Sequence, residues 1–112
     1  MIKMRSVNRG LVTIIPKQPY YDWANQVDSE DNLIMTIENR IDHCSYFLKE
    51  YGLNEDPNKA LKKNWKLIFM DELLRVSFDH SEWPPKLTWK LFAKWFDFHF
   101  SSRVIDLDDG VE

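Results

Sequence analysis

Residues 83–100 read WPPKLTWKLFAKWFDFHF, and this stretch holds three of the five tryptophans and four of the seven phenylalanines of the chain. After the two prolines, rings recur three and then four residues apart at Trp89, Phe92 and Phe96, which is the spacing of one face of an α-helix. So many exposed rings would be unusual on a soluble protein. The pattern therefore predicts an amphipathic helix over about 88–97 whose rings enter the core.

Three aromatic residues of the same stretch do not follow this helical spacing. Trp83 precedes a Pro-Pro pair that bars a helix, and Phe98 and Phe100 follow the predicted helix. Trp83 has two open interpretations, since a ring at such a stiff corner can tuck into the core or protrude as an anchor. We expect these three rings to be the candidates for partner binding.

The composition indicates one soluble domain. The chain has 112 residues, of which 44% are apolar and 14% aromatic, which excludes a disordered class. No apolar run approaches the roughly 20 residues that span a bilayer, and we expect no secretory signal. Cys44 is the single cysteine, which excludes an intrachain disulfide and fits a reducing, cytoplasmic compartment.

The rest of the chain alternates strand and helix patterns. The β-branched run 11–15 is apolar at nearly every position, which predicts a strand buried on both faces. Asp56-Pro57 is a helix start, with an N-cap followed by proline at the first helical position. We predict an α+β domain with an ordered core over about 8–107 and an acidic tail at 108–112. Its three strands (11–15, 44–49 and 102–107) form a small sheet that is covered mostly on one face by helices at about 19–27, 57–77 and 88–97.

The segment 33–50 has two open interpretations. Apolar residues at 33, 34, 37 and 41 allow a short helix before the strand at 44–49. A single hairpin over 33–50 is the competing prediction.

Motifs for catalysis, metal or cofactor binding are missing. The three histidines and the cysteine do not have the local spacings of zinc sites, and three glycines in all make a phosphate-binding loop implausible. We therefore predict no catalytic residue, no metal and no cofactor. Whether His43, His80, His99 and Cys44 converge in space is left open.

Two groups of lysines indicate a basic surface. Lys59, Lys62, Lys63 and Lys66 lie on the polar face of the long helix, and Lys86, Lys90 and Lys94 flank the aromatic one. A solvated face explains both groups, because the net charge is −3 and no nucleic-acid motif accompanies them. Nucleic-acid binding through these lysines is the alternative.

The order of the landmarks resembles a family of small bacterial proteins without an assigned activity. The shared landmarks are Asn8-Arg9, Pro16-Lys17-Gln18-Pro19, Asp22-Trp23, Trp65 with Ile68-Phe69, Glu72-Leu73, Trp83-Pro84, Phe92 with Trp95-Phe96, and Ser102 with Asp106-Leu107. In that family the second strand commonly runs Tyr-Leu-Ile-Pro, whereas this chain has Tyr46-Phe47-Leu48-Lys49. The resemblance implies a bacterial, cytoplasmic, single-domain protein.

The same resemblance identifies polar positions that would form a shared site. They are Arg9, Lys17, Gln18, Asp22, Glu72 and Asp106. A structural explanation is also open, with Asp22 capping the first helix and Asp106 pairing with Arg9 or Lys17 across strands.

Three functional hypotheses follow. The preferred one is a non-enzymatic module that binds another protein or itself, as a homodimer, because catalytic signatures are missing and aromatic residues are in surplus. The alternative is a small enzyme or ligand-binding protein that uses Arg9, Lys17, Gln18, Asp22 and Asp106. The third is nucleic-acid binding through the lysine faces.

Overall fold

A computed structural model describes residues 5–7, 10–27, 42–48 and 56–107. In this part of the chain, three helices lie against one face of a three-stranded antiparallel sheet, so the fold is α+β as the sequence predicts. The strands are β1 (Arg5–Val7), β2 (Gly10–Pro16), β3 (Cys44–Leu48), β4 (Phe96–Ser101) and β5 (Val104–Asp106). The helices are α1 (Gln18–Val27), α2 (Pro57–Leu74) and α3 (Trp89–Trp95), and a 3₁₀ turn spans His80–Glu82.

The main sheet has the order β3-β2-β4. Val12 of β2 pairs with Tyr46 of β3 on one side and with Phe100 of β4 on the other. Because side chains alternate along a strand, this register divides the sheet into two faces. The helix-covered face carries Val12, Ile14, Tyr46, Leu48, Phe96, Phe98 and Phe100, all of which belong to or pack against the core. The open face carries Leu11, Thr13, Ile15, Ser45, Phe47, Asp97, His99 and Ser101.

The prediction that the first strand is buried on both faces was wrong. Val12 and Ile14 are fully buried, whereas Leu11, Thr13 and Ile15 are only half-buried. An antiparallel sheet needs to cover one face only, so the apolar residues on the other face remain partly accessible.

The predicted helix over 88–97 is one turn shorter and continues directly into a strand. α3 begins after Thr88, whose hydroxyl accepts from the Leu91 N–H at 3.1 Å, and ends at Trp95. Phe96 is already extended, with φ −134° and ψ 141°, although its N–H still donates to the Phe92 carbonyl.

The third strand of the main sheet is therefore β4 and not the predicted segment 102–107. That segment does contain a strand, but β5 pairs with β1 in a separate two-stranded sheet. Which sheet a strand joins depends on pairing between distant segments, and the local sequence pattern carries no information about that pairing.

The long helix α2 begins as predicted and ends three residues early. The Asp56 carboxylate accepts from the Asn58 N–H at 3.0 Å, and Pro57 occupies the first helical position. The helix ends at Leu74 instead of residue 77, and the N–H groups of Val76 and Ser77 both donate to the Leu73 carbonyl at 3.0 Å.

Some predictions fall outside the described residues. They are Arg9, the acidic tail at 108–112, and the short helix or hairpin predicted for segment 33–50, of which only residues 42–48 are described. Among the described helices, none combines the length and apolar character needed to cross a lipid bilayer.

The aromatic residues of all three helices meet at Phe96. Its ring is 1% exposed and lies 5.3 Å from the Tyr20 ring, 5.5 Å from the Phe69 ring and 5.2 Å from the Phe92 ring. These partners belong to α1, α2 and α3 respectively, so one side chain of β4 contacts every helix. The prediction that Phe92 and Phe96 enter the core is confirmed.

Replacement of Phe96 tests this arrangement. We expect Phe96→Ala to lower the free energy of unfolding by about 3–5 kcal/mol, because it leaves a cavity where three helices meet. The control is Phe78→Ala, since Phe78 is 85% exposed and its removal should change stability by less than about 0.5 kcal/mol. Urea denaturation measures both, and equal losses would contradict the central role of Phe96.

Candidate functional site

A buried carboxyl group links α2 to β3. Glu72 has no exposed surface, although its neighbours in the core are apolar. Its Oε2 lies 2.5 Å from the Tyr46 hydroxyl, and its Oε1 accepts from Arg75 Nη1 at 3.1 Å. Arg75 also donates through Nη2 to the backbone carbonyl of Asp42, just before β3, at 2.6 Å. These bonds hold β3 against the end of α2.

The Tyr46 hydroxyl has two carboxylate neighbours and one proton. Asp71 Oδ2 lies 2.7 Å away on the exposed side, and Glu72 Oε2 lies on the buried side. A phenol donates one hydrogen bond at a time. Both contacts are hydrogen bonds at once only when one of the two carboxyl groups carries a proton and donates to the phenol oxygen.

Burial decides which carboxyl group that is. Desolvation raises the pKa of Glu72, and the hydrogen bond from Tyr46 and the charge of Arg75 only partly offset it. The pKa of Tyr46 is raised as well, first by burial and then by its hydrogen bond to Glu72. At pH values at which Glu72 is protonated, Glu72 donates a hydrogen bond to the Tyr46 hydroxyl, and this hydroxyl donates to Asp71.

Cys44 brings a third potential metal ligand to the same place. Single ligand atoms of Cys44, Asp71 and Glu72 lie within 4.8 Å of one another. However, both oxygens of Glu72 already bond to Tyr46 and Arg75, and the guanidinium group 3.1 Å away opposes a cation. The arrangement is accounted for by its internal hydrogen bonds.

The groove beside β3 forms the candidate functional site. Among the described residues, β3 has a neighbouring strand only on its β2 side. A groove of about 270 Å³ separates β3 from α2. It is lined by Tyr46, Phe47, Leu48, Asn64, Leu67 and Ile68. Leu67 is 69% exposed, so a large apolar side chain of α2 borders the groove in contact with solvent. The Phe47 side chain is 48% exposed and lies on the open face of the sheet.

The predicted ligand-binding residues bond within the fold or lie apart from one another. Lys17 Nζ donates to the Ala93 carbonyl at 3.1 Å near the end of α3 and lies 3.7 Å from Asp97. Gln18 donates to Asp22 at 2.9 Å along α1. Asp106 lies on β5, opposite Arg5 of the two-stranded sheet. With Arg9 outside the described residues, the structure brings Lys17, Gln18 and Asp22 to the start of α1 and leaves Asp106 in the other sheet.

The predicted partner-binding rings are partly buried. Phe98 and Phe100 lie on the helix-covered face, and the Phe98 ring is 5.8 Å from the Phe92 ring. Trp83 donates through Nε1 to the Ser77 carbonyl at 3.0 Å and stacks on His80 at 4.0 Å. Core packing explains these rings, and a role in partner binding stays a prediction.

The lysines are exposed, as predicted for a polar helix face. Lys59, Lys62, Lys63 and Lys66 lie along α2, and Lys62 Nζ lies 5.4 Å from the centre of the Trp89 ring on α3. This cation–π contact is one structural reason for a lysine between the two helices. Nucleic-acid binding stays a prediction.

The histidines and the cysteine occupy different surroundings. Cys44 lies on the helix-covered side with Asp71 and Glu72, whereas His99 lies on the open face opposite Thr13. His80 stacks on Trp83 after α2, and His43 is exposed before β3. Within the described residues, the cluster of potential metal ligands contains no histidine.

Comparisons with protein-family models, with curated proteins and with solved structures give no match for this chain. The resemblance to a bacterial family therefore stays a prediction, and function has to be argued from the residues themselves.

Sequence reasoning missed the residues that border the groove. Leu67 lies outside the apolar stripe of α2, and an apolar residue out of phase on a long helix was the signal that could have identified it. The strand Cys44–Leu48 contains no charged residue and no proline, which is unusual for a strand at the edge of a sheet. That second signal becomes informative only once the strand order is known.

The Glu72 site predicts a specific pH dependence of stability. The raised pKa means that the folded state binds this proton more tightly than the unfolded state, whose pKa is near the ordinary 4.5. The contribution to stability is therefore complete below about pH 4.5 and is lost as the pH rises towards the folded pKa. We expect Glu72→Gln, which cannot ionise, to gain stability relative to the wild type as the pH increases from 4.5 to 8.

Urea midpoints of both proteins across this range measure the effect. All other titrating groups are common to the two proteins, so the difference between the curves isolates Glu72. A difference that shrinks with increasing pH would show that Glu72 is ionised and held by Arg75, contrary to the expectation.

The contacts of Lys17 predict a structural role for this residue. We expect Lys17→Met to lower the free energy of unfolding by about 1–2 kcal/mol, because the Ala93 carbonyl loses a charged donor. The ion pair with Asp97 adds little, since the Asp97 side chain is 67% exposed. Lys94→Met is the matched control on the exposed side of α3 and should change stability by less than about 0.5 kcal/mol. If Lys17→Met leaves stability unchanged, Lys17 is available for another role.

Proposed function

We propose that this protein is a non-enzymatic protein-binding module that binds its partner at the groove between β3 and α2. Apolar side chains of the partner enter this groove. The observation that carries this proposal is a groove of about 270 Å³ bordered by Leu67, a large apolar side chain that is 69% exposed.

The groove supplies specificity. Leu67 of α2 borders the groove, and apolar residues that become fully desolvated dominate the energy of many interfaces. Leu67 is accessible before binding, so the partner buries it without unfolding the domain.

The polar residues of the molecule support a binding role over a catalytic one. Tyr46, Glu72 and Arg75 bond to one another and to backbone, and Lys17 bonds to the end of α3. These bonds stabilise the position of β3 and the helices. The groove is lined mainly by apolar residues.

Site-specific photocrosslinking tests the proposal. A photoreactive residue at position 47 of the full chain should form a covalent adduct with a second polypeptide. Leu67→Lys should reduce this adduct by about tenfold or more, which corresponds to the loss of one apolar contact at an interface. The same substitution should change the free energy of unfolding by less than about 0.5 kcal/mol, because Leu67 is 69% exposed.

The control places the photoreactive residue at position 90, on the exposed surface of α3. Adducts that form equally well from positions 47 and 90, or that persist at full yield with Leu67→Lys, would contradict the proposed surface. A folded Leu67→Lys variant separates the loss of binding from the loss of structure.

A further inference from the structure

We propose that the partner at the groove is a second copy of this chain, bound head to tail, and that the Phe78 ring of one copy enters the groove between β3 and α2 of the next. This identification of the partner rests on the proposed function. Two different surfaces of the molecule meet in the contact. They are the groove and the loop formed by residues 77–83 after α2, which we call the Phe78 loop.

The Phe78 side chain is held in solvent by an ordered loop. Phe78 is 85% exposed. The ends of the loop are joined, because Ser77 Oγ donates to Glu82 Oε1 at 2.6 Å and Trp83 Nε1 donates to the Ser77 carbonyl at 3.0 Å. Trp23 of α1 donates through Nε1 to the Glu82 carbonyl at 2.7 Å, which ties the loop to the helical layer. A ring presented by such a loop loses little backbone entropy when it binds.

The same loop places a negative charge next to the ring. Asp79 is exposed, and its carboxylate accepts from the Ser81 N–H at 3.0 Å and from the Ser81 hydroxyl at 2.7 Å. The hydrogen bonds from Ser81 hold the pKa of Asp79 below its usual value, so this group is ionised at neutral pH. The sequence between Arg75 and Lys86 contains no lysine or arginine. The Phe78 loop therefore offers an apolar ring beside a carboxylate.

The groove has the size and the lining that a phenyl ring needs. An apolar cavity of roughly 150 Å³ is enough to bind benzene, and the groove measures about 270 Å³. It is lined by the buried Leu48 and Ile68 and bordered by the exposed Leu67. Entry of the Phe78 ring removes this ring and Leu67 from water together, which is favourable in proportion to the apolar area buried.

The charges on α2 orient the incoming loop. Lys63 and Asp71 lie four residues before and after Leu67, and all three are exposed, so they are neighbours along one side of the helix. A loop that enters with Asp79 towards the N-terminal end of α2 brings Asp79 next to Lys63. The reverse orientation brings it next to Asp71, which is unfavourable because both groups are negative. Charge complementarity therefore selects one orientation of the loop.

The ring and the groove belong to every copy of the chain. A contact between two different surfaces is heterologous, so each copy offers its ring to one neighbour and its groove to another. Size, apolar character and charge order thus match between two surfaces of the same molecule. Association of this kind continues from copy to copy unless the rotation between neighbours closes a ring of subunits.

Complementation between two variants tests the contact. Sedimentation velocity of the full chain over a range of concentrations should show association of the wild type. Phe78→Ala removes the ring and leaves the groove, whereas Leu67→Lys places a charge at the groove and leaves the ring. Each variant alone should associate about tenfold more weakly or less. An equimolar mixture should form a complex of one copy of each, because the ring of the Leu67→Lys chain enters the groove of the Phe78→Ala chain.

Two controls are available on the exposed surface. Leu107→Ala also removes an apolar side chain, which is 68% exposed, and should associate like the wild type. Lys63→Glu should weaken association by about two- to fivefold, whereas Lys90→Glu on α3 should not. Equal effects of Lys63→Glu and Lys90→Glu would contradict the proposed orientation. Urea denaturation of each variant checks that it is folded.

A wild-type chain that stays monomeric at high concentration would overturn the head-to-tail contact. So would association that Phe78→Ala leaves unchanged, or a mixture in which the two variants do not bind each other. If the chain is monomeric and position 47 still crosslinks to a different polypeptide in a Leu67-dependent manner, the second copy fails as the partner and the proposed function stands. A monomeric chain that gives no adduct from position 47 with any polypeptide would overturn both.

Discussion

The packing of Phe96 is the constraint on which the rest of the structure depends. Its ring contacts one aromatic residue from each helix, and Phe96 is also the first residue of β4. The sheet and the helical layer are therefore joined at one buried position. Because close-packed rings tolerate little displacement, this junction sets where α2 lies across the sheet. The groove beside β3 is a consequence of that placement.

The buried Glu72 is a second constraint, and it acts directly on the candidate interface. Burying a carboxyl group is unfavourable unless its hydrogen bonds are satisfied, and here Tyr46 and Arg75 satisfy both oxygens. Tyr46 belongs to β3 and Arg75 reaches the backbone in front of it. The cost of burial is thus offset only when β3 lies in place against α2. This dependence gives the edge strand a defined position before any partner arrives.

A rigid groove has consequences for binding. A preorganised site loses little conformational entropy when a partner binds, so more of the interaction energy appears as affinity. In the proposed function, Leu67 of α2 supplies the apolar contact at this groove.

The sequence by itself determined the α+β class, the start of α2 at Asp56-Pro57, the amphipathic pattern of α3 and the burial of Phe92 and Phe96, because each of these follows from local spacing. Only the tertiary structure decided where α3 becomes β4. In the sequence, Phe96 fits the helical spacing of Trp89 and Phe92 and also the strand alternation of Phe98 and Phe100. Pairing with β2 makes Phe96 part of β4. Strand order, the separate sheet of β5 and the burial of Glu72 likewise depend on contacts between distant segments. The groove between β3 and α2 became recognisable only in the structure for that reason, since two segments distant in the sequence form it.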